Sequence, residues 1–353
     1  MMLSRKWILA GAVFTIVAVV GLFLLNKSGW IQNRGKSDVE ADSLDMIETV
    51  TPEIAALSEN IHRNPKDHAL YYARANAYYE FGNVKYALLD YQAAYQMDST
   101  NANYALGFSD CLFDLNNAEG AIAVLEDYRL HDANNVDVLV TLAVDYFKLP
   151  KPEMQKSIAL LDEAIKLDVQ NPDAYFFKGM IFKESGDTAR AISSFQTTVE
   201  VDPDFQEAYM QLGNLYAAQK NKLALQYYDD AIRLDSTDRQ ASYAKAKFYQ
   251  DIGSLSQAIA DYKAMIVKDP QDADAIYNLA TIYYGIDSIA TAYKYYELAI
   301  RQAPANAISY YGKGLCAEEL KKRDEAISLY TQALNLDPDL QEAEKRLNIL
   351  NAQ

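Results

Sequence analysis

Residues 171–203 read NPDAYFFKGMIFKESGDTARAISSFQTTVEVDP, and close relatives of this stretch recur on both sides of it at a nearly fixed period. A small residue comes early (Gly179), a second twelve residues later (Ala191), and Pro203 twelve after that, with aromatic residues between them. Two short amphipathic helices joined by a turn fit this pattern. Small residues recur at Ala75, Ser109, Ala143, Gly179, Gly213, Ala246, Ala280 and Gly314, with successive gaps of 34, 34, 36, 34, 33, 34 and 34. A second column, Ala87, Ala121, Ser157, Ala191, Ala224, Ala258, Ala292 and Ala326, keeps the same beat. Two columns in register make internal repetition the governing feature, ahead of any domain count suggested by the length of 353 residues. The expected product is one elongated all-α array.

Small residues at these positions let the two helices of a unit, and the first helix of the next, cross at short distance. Aromatic residues three after the first small column, such as Tyr78, Tyr146, Phe182, Tyr216, Tyr249 and Tyr283, fill the space beside those crossings. Half of the residues are hydrophobic, ample for a core, but a stacked array spreads that core along its length. The formal charge is −16, and it is unevenly placed: residues 1–36 hold five basic groups and no acidic one, leaving 28 basic against 49 acidic groups in the remainder. Such a surface repels phosphate backbones, which argues against nucleic acid and favours cationic partners. Cys111 and Cys316 both stand two residues after a first-column small residue, where the other units have Ala77, Ile181, Leu215, Phe248 and Ile282, with Asp145 the exception. The bland reading is a small buried hydrophobe, and six units of separation forbid a disulfide.

In chain order, residues 1–6 form a tail, and residues 7–25 (WILAGAVFTIVAVVGLFLL) are 19 consecutive residues without a charge. That length crosses a hydrocarbon core of about 30 Å, Arg5 and Lys6 precede it, and Trp7 and Trp30 bracket it, so the expectation is a single transmembrane helix. A cleaved signal peptide fits less well, since the run is long and no small-x-small site follows it. The tight basic flank places the repeat domain outside the cytoplasm, on the periplasmic side, with a cytoplasmic-facing domain as the alternative. Residues 26–50 read as a polar tether. Residues 51–67 begin with Thr51 and Pro52 as helix-start signals and read as a half-unit, a second helix without its first, that covers the next unit. Eight units occupy 68–340, with an insertion carrying Pro150 and Pro152 and a one-residue deletion between Gly213 and Ala224. Residues 341–353 form a solubilising cap helix.

The columns resemble those of the tetratricopeptide repeat family. The unit at Tyr209 shows Leu212-Gly213, Tyr216, Ala224, Tyr228 and Ala231 in that family's pattern, and the likeness extends over about three quarters of the chain. The resemblance implies antiparallel helix pairs stacked into a right-handed superhelical solenoid, first helices lining a concave face, and protein or peptide binding there. On that implied face the residue three before each small one gives Tyr72, Leu106, Val140, Phe176, Met210, Tyr243, Tyr277 and Tyr311. From these, Tyr72, Phe176, Met210, Tyr243, Tyr277 and Tyr311 are the candidate partner-binding groove, with ordinary interhelix packing as the competing explanation. The residue six before gives an acidic edge including Asp137, Asp173, Glu207 and Asp274. Rings with acidic rims suit protein or peptide segments carrying apolar and basic residues. One use within the family, a clamp for a carboxylate terminus, resembles successive Lys, Arg and Asn residues; here Asn76, Asn214 and Lys247 are isolated and acids stand nearby.

No phosphate-cradling loop, nucleophile elbow or His-x-x-x-His pair occurs, and His62, His68 and His131 are isolated. Neither catalysis, a cofactor nor a metal is therefore expected. The reading is a membrane-anchored adaptor that captures protein partners, with an accessory subunit of an envelope-assembly, secretion or polysaccharide- or lipid-processing complex as the alternative, its aromatic groove holding glycan or lipid.

Overall fold

The computed structural model describes residues 51–352. Among the described residues there are eighteen α-helices and no strand. After α1 (Pro52–Arg63) come eight pairs: α2 (His68–Glu80) with α3 (Val84–Met97), α4 (Ala102–Asp114) with α5 (Ala118–Tyr128), α6 (Val136–Phe147) with α7 (Met154–Leu167), and α8 (Pro172–Glu184) with α9 (Thr188–Val201). The remaining four are α10 (Gln206–Ala218) with α11 (Leu223–Leu234), α12 (Arg239–Asp251) with α13 (Leu255–Lys268), α14 (Ala273–Gly285) with α15 (Ile289–Gln302), and α16 (Ala307–Glu319) with α17 (Arg323–Leu336). α18 (Gln341–Ala352) follows. Each helix packs chiefly on its predecessor and successor, which is the arrangement of a solenoid.

Three features of the sequence make these helices start and stop. First helices begin at Asp67, Asn101, Asn135, Asn171, Asp238, Asp272 and Asn306, whose side chains accept a hydrogen bond from a first-turn backbone N–H. Their spacing follows the small columns, with Phe205 the one uncapped member. First helices end where the chain turns left-handed, at Gly82, Gly186 and Gly253 but also at Asn116, Lys220, Asp287 and Lys321. The N–H of the following residue then bonds back five residues, as in Asn83 to the Tyr78 carbonyl at 2.8 Å and Lys322 to the Ala317 carbonyl at 2.9 Å, closing the helix end. The third unit departs: its turn holds Pro150 and Pro152, and Glu153 N–H closes the longer loop on the Tyr146 carbonyl at 3.0 Å. Finally, second helices end at Asp98, Asp168, Asp202, Asp235, Asp269 and Asp337, and the loop after α5 holds Asp132; these carboxylates accept the backbone N–H two residues on at 2.8–3.1 Å.

All sixteen residues of the two small columns are buried. A Cβ built on Gly179 would lie 2.6 Å from the Phe195 ring, and one on Gly213 2.6 Å from the Tyr228 ring, so the second-helix aromatic occupies the room that the missing side chain leaves. α6 is the most enclosed element, with nine consecutive buried residues from Val138 to Tyr146, because it packs closely against both α4 and α8. At the two ends the small columns change character. Glu53 on α1 and Asn348 on α18 stand one period beyond Ala87 and Gly314, and both are exposed.

The expectation of a single-pass membrane protein with an extracytoplasmic repeat domain is corrected. No helix among the described residues is long and apolar enough to cross a membrane. The run 7–25 that prompted the expectation, the tail 1–6 and the tether 26–50 lie outside the described residues.

Candidate partner-binding face

First helices of successive units approach one another at α4/α6, α6/α8, α10/α12 and α14/α16, which makes them the inner layer of the array. Hydrogen bonds cross between them: Tyr79 OH donates to Asp114 Oδ2 at 2.7 Å, Lys183 Nζ to Gln211 Oε1 at 2.7 Å and Asn278 Nδ2 to the Tyr243 hydroxyl at 2.8 Å, and from α18 Arg346 Nη1 donates to Glu318 Oε1 of α16 at 3.2 Å.

The candidate groove residues all lie on this layer, but each is tied to its own unit before it could meet a partner. Tyr72 packs on Tyr91 with ring centroids 5.8 Å apart, Phe176 on Phe195 at 5.5 Å, Tyr243 on Tyr262 at 6.0 Å, Tyr277 on Tyr296 at 5.8 Å and Tyr311 on Tyr330 at 5.8 Å. The pairing is the same each time, a first-helix ring against the second-helix ring nineteen residues later. Met210 takes the equivalent place beside Tyr228. Phe176, only 9% exposed and also packed on Phe205, is a core residue. Tyr72, Met210, Tyr243, Tyr277 and Tyr311 remain half-buried, while Leu106 and Val140 of the same column are buried. Packing and exposure therefore coexist in the tyrosines, as an amphipathic ring allows.

The second-helix tyrosines are what sequence reasoning missed. Burial raises the pKa of Tyr91, Tyr228, Tyr262, Tyr296 and Tyr330, so each stays a neutral phenol. Their hydroxyls reach through the core to polar groups of the first helices. Tyr91 OH donates to Asn76 Oδ1 at 2.6 Å, Tyr228 OH to Asn214 Oδ1 at 2.9 Å, Tyr262 OH to Gln250 Oε1 at 3.3 Å and Tyr330 OH to Glu318 Oε2 at 2.8 Å. The Tyr296 hydroxyl lies 3.2 Å from Thr281 Oγ1. The signal was the choice of tyrosine over phenylalanine four residues after Ala87, Ala224, Ala258, Ala292 and Ala326. Asn76 and Asn214, which a carboxylate clamp would need, are thereby committed to internal bonds, and Lys247 pairs with Asp251 at 3.0 Å.

Acidic residues border the layer at both ends of the first helices. Asp137, Asp173, Glu207 and Asp274 are exposed near the helix starts, and Glu80, Asp114, Glu184, Asp251 and Glu319 near the helix ends. One member is bound in a cluster: Arg239 donates to both carboxylate oxygens of Asp272 at 2.8 and 2.7 Å, and to Asp274 at 2.8 Å. The Asp272 side chain is 2% exposed and also caps α14. Its burial favours the neutral acid, but Arg239 and the Ala275 N–H outweigh that and hold its pKa below the ordinary value.

Other chemistry is quiet. Burial pushes the Cys111 and Cys316 thiols up to about 12, so both are inert. His68 Nδ1 lies 2.8 Å from the Tyr104 hydroxyl and His131 Nε2 3.2 Å from Ser99 Oγ, each bridging neighbouring units. No group of three or more potential metal ligands occurs among the described residues.

Comparison with known proteins agrees with this anatomy. Family models for the tetratricopeptide repeat match residues 178–239, 215–273, 243–307 and 307–340. Anaphase-promoting complex subunit 3 of Schizosaccharomyces pombe is 31% identical over 96 residues, 27% of this chain and 14% of that protein. The human protein O-mannosyl-transferase TMTC1 is 28% identical over 162 residues, 44% of this chain and 18% of that protein. The chain thus spans under a fifth of the length of either relative. A crystal structure of a tetratricopeptide repeat protein from Parabacteroides merdae ATCC 43184 aligns with 70% of this chain and 97% of its own, at 17% identity and a TM-score of 0.48. Residues 178–340 thus match tetratricopeptide repeats, and the helix pairs before them repeat the same columns.

Proposed function

We propose that the chain is a scaffold whose first-helix face docks segments of protein partners that carry apolar and basic side chains. The observation that carries this reading is the run of half-buried Tyr72, Met210, Tyr243, Tyr277 and Tyr311 along a layer bordered at both ends by exposed acids. The rings supply apolar area with a polar rim, and the acids select cationic residues. Ring pairing within each unit holds the tyrosines in place before binding, which lowers the ordering cost of docking. Residues 51–67 and 341–353 are proposed as end caps around the eight units of 68–340. Glu53 and Asn348 put polar side chains where every complete unit has a small buried residue, and a further stacked unit would have to bury them.

Panning a random-peptide display library against the full chain tests the docking reading. Enriched peptides are expected to combine aromatic or aliphatic residues with Lys or Arg, and to lose at least tenfold in affinity against a Tyr243→Ala, Tyr277→Ala, Tyr311→Ala variant that keeps its circular dichroism. Enriched peptides that are acidic, or that bind this variant as well as the parent, would refute it.

A further inference from the structure

Two residues after each first-helix small residue, a side chain enters the preceding unit. Cys111 packs with Ala75, Ala87 and Tyr91, Phe248 with Ala224 and Tyr228, Ile282 with Ala246, Ala258 and Tyr262, and Cys316 with Ala280, Ala292 and Tyr296. In the third unit this side chain is the carboxyl of Asp145, which is 5% exposed. The small residue it meets is Ser109, the only hydroxyl in the first small column.

Ser109 Oγ lies 3.2 Å from the Ala121 carbonyl oxygen and 3.3 Å from Asp145 Oδ2. A serine hydroxyl has one hydrogen to donate, so it cannot serve both acceptors. An ionised Asp145 would compete with the carbonyl for that hydrogen and stay buried with at most one bond from it. A protonated Asp145 donates to Ser109 Oγ, which donates onward to Ala121, so that both hydrogens have an acceptor. Electrostatics point the same way. Burial pushes the Asp145 carboxyl up to about 7, Asp110 of α4 adds to this, and Ser109 and Lys148 at the end of α6 oppose it. α5, α7 and α8 add no charged group to that set.

We propose that Asp145 is held as a neutral carboxylic acid between the second and third units, and that its ionisation as pH rises loosens this contact and makes α4–α6 a pH-sensitive joint. The position is apt, since α6 packs closely on both α4 and α8 and opening there separates the first two units from the rest. The native state holds a proton that the opened state releases. The contact is therefore strongest below the ordinary carboxylate pKa of about 4 and weakens as pH climbs towards about 7, then changes no further.

Hydrogen exchange on the full chain between pH 5 and 8, corrected for intrinsic rates, tests this. Opening of α4–α6 amides should rise by up to about tenfold per pH unit from pH 5 and level off above 7, while α14–α16 amides do not follow. In Asp145→Asn, whose amide can donate to Ser109 in the same place, the dependence should vanish. An equal slope in both proteins, or none in the parent, overturns the proposal. Should the variant fail to fold, the 13C shift of the Asp145 carboxyl in the parent decides: a midpoint above pH 6 supports a buried neutral acid, and one near 4 refutes it.

Discussion

Gly213 and Tyr228 show how one residue sets the spacing of a unit. The Tyr228 ring lies where a Gly213 side chain would be, and its hydroxyl then reaches Asn214 at 2.9 Å. Units with alanine at the small position, such as Ala246 beside Tyr262, accommodate one methyl, so the glycine units have let the ring close in. Gly213→Ala is accordingly expected to cost about 1–3 kcal/mol through overpacking, despite the better helix propensity of alanine, as read from the urea midpoint. The need for small residues was legible from the columns alone. That the tyrosine hydroxyls cross the core to organise the inner face was not, because their partners Asn76, Asn214, Gln250 and Glu318 follow no single column and become neighbours only through the helix crossing.

At the scale of the element, what distinguishes the units is how each first helix ends. Seven of the eight interhelix turns place a residue in the left-handed region, and only three of these are glycine. A lysine there is strained by its Cβ, and Lys321 has φ 60°. Lys321→Gly is expected to stabilise the chain by roughly 0.5–1 kcal/mol, visible as a higher denaturation midpoint at unchanged slope. The glycine turns at Gly82, Gly186 and Gly253 were readable in the sequence. The turns at Asn116, Lys220, Asp287 and Lys321 were hidden, since position in the period rather than residue type forces the conformation. The aspartates that close second helices explain part of the acidic balance in the same way: they cap turns, and their charge is a by-product of that role.

For the whole molecule, stacking by nearest neighbours predicts damage that stays local. Ala258→Asp would bury an unpaired carboxylate in the sixth unit, and protection of α10–α15 amides should be lost while α2–α5 stay protected. Loss along the entire array in one step would mean that it behaves as a single cooperative block. Periodicity by itself determined the helix pairs, their number and the core that joins them, because each unit must bury the same stripe against the same neighbours, and a stripe is visible in one dimension. Tertiary structure alone decided which residues of the inner face stay partly exposed. Phe176 and Tyr277 occupy the same column, yet Phe205 closes over the first and leaves the second half-exposed. It also decided that Asp145, an oddity in a hydrophobic column, meets Ser109, since a pairing 36 residues apart exists only once the units are stacked.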